Sequence, residues 1–160
     1  MHRILLVCMG NICRSPLASA VLQAEVGRRG LQDRVVVDSA GTYGGRAGEP
    51  ADGRAVRLAL ERGYGAIAHE RARQVREDDF ERFDVILAMD FYNRGQLYQR
   101  CPVELHHKVH LYLDYAGLGE REVPDPYAGP IEGFEQVLSM CEQASGALLD
   151  RLLAEAAQAR

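Results

Sequence analysis

The chain has 160 residues, 47% of them hydrophobic and 26% charged, with a formal net charge of -4. That length and balance suit a single globular domain over residues 1–160 with a sizeable core. Net negative charge without any block of Lys and Arg argues against nucleic acid or an acidic membrane as partner, so a phosphate site, if present, must be local.

Met1, His2 and Arg3 lead into an apolar run too short for a signal-peptide core or a membrane span, and the expected location is the cytoplasm. In that reducing compartment the four cysteines, Cys8, Cys13, Cys101 and Cys141, read as free thiols, with Cys141 a small core residue. Arg3 to Cys8 is nearly unbroken apolar sequence, which suits a strand buried on both faces of a parallel sheet. Met9 to Ser15 follows as a loop. Ser15 then reads as a helix N-cap with Pro16 at the first helical position and Gly30 closing the helix.

Arg34 to Asp38, with three consecutive valines, predicts a second strand, and the Gly-rich stretch Gly41 to Gly48 a long loop. A helix is expected from about Ala51 to Arg62, stopped by Gly63. Asp84 to Met89 predicts a third strand, with Asp90 capping the helix after it, and Val109 to Tyr112 a weaker fourth. From Ile131 to the end, apolar residues recur at three- and four-residue spacing, the pattern of one amphipathic helix. Strands alternating with helices predict an α/β fold in which a parallel sheet is covered on both faces. Ligands of such folds sit beyond the carboxyl ends of the strands, where the Met9 to Ser15 loop lies.

Within that loop Cys8 is followed after five residues by Arg14 and then Ser15. A cysteine at a strand end facing a helix N-terminus meets unpaired N–H groups and the positive end of the helix dipole, and both favour thiolate over thiol. The spacing lets the amides of Met9, Gly10, Asn11, Ile12 and Cys13 converge on one anion, while Arg14 offers a planar fork to two phosphate oxygens. Gly10 is expected to permit close backbone approach or positive φ, and Asn11 to adopt the left-handed region or to bond loop amides. Ser15 is expected to cap the helix and also to stabilise the Cys8 thiolate. Phosphate ester hydrolysis further requires a proton for the leaving oxygen. Asp125, held between Pro124 and Pro126, is the candidate acid, and Tyr127 supplies an aromatic wall.

These segments, together with Asp38 to Thr42, Ala72-Arg73-Gln74, Asp79-Phe80, and Phe83 to Asp90, resemble the low-molecular-weight protein tyrosine phosphatases over nearly the whole chain. The resemblance implies a three-layer domain with a four-stranded parallel sheet in order 2-1-3-4, no metal and no cofactor. It implies a two-step reaction through a cysteinyl-phosphate, with Cys8 as nucleophile, Arg14 as clamp and Asp125 as acid and then base. It also implies that Asn11 and Ser39 brace the loop and that Cys13 traps oxidised Cys8 as a disulfide. Expected partners are a phosphotyrosine protein or a small aryl phosphate as substrate and a tyrosine kinase, with the chain a monomer or weak dimer.

Three positions depart from the family pattern. Glu70 stands where many relatives have histidine, Ala128 where they often carry a second large residue, and Gly45 where a large aromatic is common, with Tyr43 as its substitute. Competing readings are an arsenate reductase, which needs a cysteine relay that Cys101 and Cys141 do not supply, and a protein-arginine phosphatase, which typically has threonine in place of Ile12. From another class comes a non-catalytic phosphate-binding module, against which the pairing of Cys8 with Asp125 counts.

Overall fold

A computed structural model describes residues 1–159. Four strands, β1 (His2–Cys8), β2 (Val35–Gly41), β3 (Val85–Ala88) and β4 (Val109–Leu111), pair in parallel in the order β2-β1-β3-β4, as expected. β1 is central because its run from Ile4 to Val7 has no exposed side chain and can be covered from both sides. Ile4 and Leu6 face one core, and Leu5 and Val7 face the other. This is the two-residue alternation of a strand packed on both faces.

The Ile4 side is covered by α1 (Arg14–Arg28), α2 (Gly53–Glu61) and α6 (Ile131–Gln158), whose Val137, Leu138, Cys141, Leu148 and Leu149 are fully buried. The Leu5 side is covered by the short α3 (Asp79–Arg82) and by α4 (Phe91–Arg100), through Phe80 and Leu97. A further single turn, α5 (Tyr112–Tyr115), follows β4 and buries both its tyrosines. Asp90 caps α4, accepting from the Asn93 N–H at 2.7 Å, as its place before the helix predicted. All four cysteines are free thiols.

The start of α1 differs from the sequence expectation. The helix begins at Arg14, with Cys13 as N-cap and no side chain capping it, so Ser15 lies inside the first turn. Its hydroxyl turns back toward Cys8 and Asn11, leaving the uncapped helix end open beyond β1. Among the described residues no helix is long and apolar enough to cross a membrane.

Candidate active site

Cys8 ends β1, and the chain turns at once through Met9 to Cys13 into α1. The turn is clamped from the side of β2: Thr42 N–H donates to the Cys8 carbonyl at 3.0 Å and Tyr43 N–H to that of Met9 at 2.9 Å. With its carbonyls drawn outward, the loop turns its N–H groups inward. Among the described residues, none of the backbone N–H groups from Met9 through Ser15 has a protein acceptor. Backbone donors left unpaired around a hollow are an anion-binding device.

Asn11 makes the curl with φ of 59°, the left-handed conformation its side chain tolerates. Gly10 does not have the role expected of it. Its φ is not positive, and an added Cβ would meet only Ile12 and Arg46 side-chain carbons at 3.8 and 3.9 Å. The glycine the turn requires is Gly41 on β2, where a Cβ would run into the carbonyl oxygen of Met9. That requirement comes from a crossing of two chain segments and leaves no local signal in the sequence.

Behind the loop, Cys8 Sγ lies 3.0 Å from Ser15 Oγ. Asn11 Nδ2 donates to Ser15 Oγ at 2.8 Å and to Ser39 Oγ at 2.9 Å, while Asn11 Oδ1 accepts from the Arg73 N–H at 2.9 Å. Ser15, Asn11 and Ser39 are all buried. Cys13 is buried in the same wall, and burial, reinforced by the charge of Asp52, pushes its thiol up to about 12.

Arg14 is 3% exposed and is held by Asp90 and by the chain of the proline loop. Its Nη1 donates to Asp90 Oδ2 at 2.8 Å and to the Val123 carbonyl at 3.1 Å. Burial alone would pull its guanidinium down; the charge on Cys8 and the bond to Asp90 more than offset this and hold it up. Among the described residues, Nη2 and Nε make no protein hydrogen bond, and Nη2 has the Asp125 carboxylate at 3.8 Å. The sequence assigned Asp90 only its cap; its second oxygen, on Arg14, was not foreseen.

Asp125 comes from the segment docked on the end of β3, where Val123 N–H donates to the Met89 carbonyl at 2.8 Å. One carboxylate oxygen accepts from Tyr127 N–H at 3.1 Å, and the other lies 3.8 Å from Arg14 Nη2. Cys8, Arg14 and Asp125 line one cavity of about 510 Å³, floored by the Met9 to Cys13 loop except Asn11 and walled by Tyr43 and Tyr127. Arg46 Nη2 donates to the Tyr127 hydroxyl at 2.9 Å, and its guanidinium lies 4.9 Å from the ring centre. Ala128 lines the cavity mouth, and the Tyr43 ring occupies the space a side chain at Gly45 would need.

The geometry has counterparts among known proteins. The family model for low molecular weight phosphotyrosine protein phosphatases matches residues 3–158. The chain belongs to the low-molecular-weight protein tyrosine phosphatase family. It is 44% identical over 153 residues to the phosphatase of that name from Streptomyces coelicolor, covering 92% of each chain. To the human low molecular weight phosphotyrosine protein phosphatase it is 35% identical over 154 residues, covering 92% of this chain and 94% of the other. A protein tyrosine phosphatase from Entamoeba histolytica, solved with Hepes in its active site, superposes with a TM-score of 0.91 at 36% identity, covering 98% and 99% of the two chains. In this phosphatase family member the fold, the sheet order and the family expected from the sequence all stand.

Proposed function

We propose that the chain, acting as one phosphatase domain, hydrolyses phosphotyrosine through a cysteinyl-phosphate. The observation that carries this is the single cavity in which the Cys8 sulfur, the free edge of Arg14, unpaired backbone N–H groups and the Asp125 carboxyl meet. In the first step the Cys8 sulfur attacks phosphorus. A P–S bond forms, the bond from phosphorus to the tyrosyl oxygen breaks, and Asp125 gives that oxygen its proton.

In the second step Asp125, now ionised, takes a proton from water as the water oxygen attacks phosphorus. The P–S bond breaks and inorganic phosphate and the Cys8 thiolate are left. Charge building on the equatorial oxygens is met by preorganised amides and by Arg14, whose orientation is fixed beforehand by Asp90 and Val123. Ser15 Oγ supports the leaving sulfur. Tyr43 and Tyr127 offer faces against which an aromatic ring packs, and Ile12 lines the same wall with an apolar side chain. A cytoplasmic location fits four free thiols, and a tyrosine kinase fits as the source of substrate.

Hydrolysis of phosphotyrosine, phosphoserine and phosphoarginine peptides side by side, with Cys8→Ser as control, tests the reading. Turnover of phosphotyrosine alone, abolished in Cys8→Ser, is expected. Preference for phosphoarginine would assign the alternative ester class, and binding without turnover would make the domain a phosphate reader.

A further inference from the structure

Glu70 follows a 3-10 turn over Gly65–His69 and sits behind the loop, away from the cavity. Its Oε2 accepts from Ser39 Oγ at 3.2 Å. Ser39 Oγ is one step from Asn11 Nδ2, and Asn11 Nδ2 one step from Ser15 Oγ, which lies against Cys8.

Proton directions along this row follow from the donor inventory. The Arg73 N–H fixes Asn11 Oδ1 as acceptor, so the amide nitrogen faces the two serines and spends both hydrogens on them. Each serine thus accepts from Asn11 and has one proton left. Ser15 has Cys8 Sγ at 3.0 Å for its proton, with the Ala40 carbonyl more distant at 3.5 Å. Ser39 has Glu70. Without an acceptor there, the Ser39 hydroxyl is stranded in the interior, and its obvious remedy is to turn its hydrogen on Asn11. That competes with the amide orientation on which the Ser15 proton depends.

We infer that Glu70 is a positioning residue for Cys8, acting as the proton acceptor that fixes the Ser39–Asn11–Ser15 row so that it ends in a hydroxyl donor aimed at the sulfur. The inference rests on Cys8 being the nucleophile. Charge and acceptor make opposite demands. A negative carboxylate behind the loop opposes ionisation of a nearby thiol, whereas its acceptor oxygen supports it through the row. Substitutions separate the two.

The test compares wild type, Glu70→Gln, Glu70→Leu and Ser39→Ala for turnover of an aryl phosphate and for the rate at which iodoacetate alkylates Cys8 at about pH 6, with melting curves to establish folding. Glu70→Leu is expected to lose about tenfold in kcat with KM within about twofold, and to slow alkylation by about the same factor. Glu70→Gln, which keeps an acceptor oxygen, restores both to within about threefold of wild type. Ser39→Ala fills less space than Glu70→Leu and keeps the test usable if that variant misfolds. It should match the loss, and the double variant should lose no more than either single one. Folded Glu70→Leu or Ser39→Ala proteins with wild-type rates would overturn the inference, as would a Gln variant as impaired as the Leu variant. Alkylation does not need turnover, so a wild type without phosphatase activity would defeat the proposed function while leaving the row testable.

Discussion

Asp90 holds Arg14 with one carboxylate oxygen, at 2.8 Å, and caps α4 with the other, at 2.7 Å from the Asn93 N–H. The same side chain therefore ties the end of β3 to both Arg14 and the following helix. Asp90→Asn keeps an oxygen for the cap but loses the charge against Arg14. It should melt close to wild type and lose about tenfold in kcat/KM for aryl phosphate. Asp90→Ala loses both contacts, and its stability should fall by a further ~1 kcal/mol. Thermal melts and steady-state kinetics on the pair separate cap from clamp; equal kinetics for Asp90→Asn and wild type would remove Arg14 from its dependence on Asp90.

Asp125 is placed by the Tyr127 N–H and by the anchoring of Val123, not by its own burial, so Asp125→Asn should leave the loop in place. Loss of the transferable proton predicts a fall in kcat of roughly 10²–10⁴-fold with phosphate still bound. Steady-state rates with inorganic phosphate as competitive inhibitor check both halves, and a variant with wild-type turnover would displace Asp125 as the acid.

Tyr43 folds over Gly45 because glycine leaves the space vacant. Gly45→Ala should push the ring aside at little cost in stability, since the obstructing atoms are a movable side chain. The loss should appear as a several-fold rise in KM for aryl phosphates, with kcat nearly unchanged. Gly41→Ala, whose added carbon meets the Met9 backbone oxygen, should instead lower the melting temperature and the activity together.

Cys13 holds its proton at neutral pH because burial pushes the thiol up to about 12. Peroxide converts the Cys8 sulfur to a sulfenic acid, and displacement of its hydroxyl by the Cys13 sulfur gives the Cys8–Cys13 disulfide only when Cys13 has lost that proton. The crosslink is therefore expected, but slowly, at a rate that rises about tenfold per pH unit over pH 7–9. Mass spectrometry of quenched samples follows it, and a rate indifferent to pH would mean another base does the deprotonation.

Glu70 carries a stability cost linked to pH. Burial, with the charge of Asp38 added, raises its carboxyl above the ordinary range, against the hydrogen bond from Ser39. A folded-state value above the unfolded one means that stability is fully present below the unfolded value and is lost as pH rises through the folded one. Glu70→Gln stays neutral, so it should melt like wild type near pH 3.5 and above it near pH 7. Melting curves across that range decide; a wild type that gains on the variant with rising pH would have the opposite sign.

Features carried by neighbours along the chain are legible without the fold. The apolar run into Cys8, the five-residue step to Arg14, the cap at Asp90 and the prolines flanking Asp125 are local patterns, and local patterns fix strands, turns and spacings. Ser15 was misread as a cap for the same reason: its place before Pro16 is a local signal, but its hydroxyl found the Cys8 sulfur and the Asn11 amide, and the helix began two residues earlier. The contact of Arg14 with Asp90, 76 residues on, and that of Glu70 with Ser39, 31 residues back, arise from the folded arrangement and have no local signal. Buried polar groups must be paired, and which distant partner satisfies each one depends on how the sheet and its helices bring the segments together.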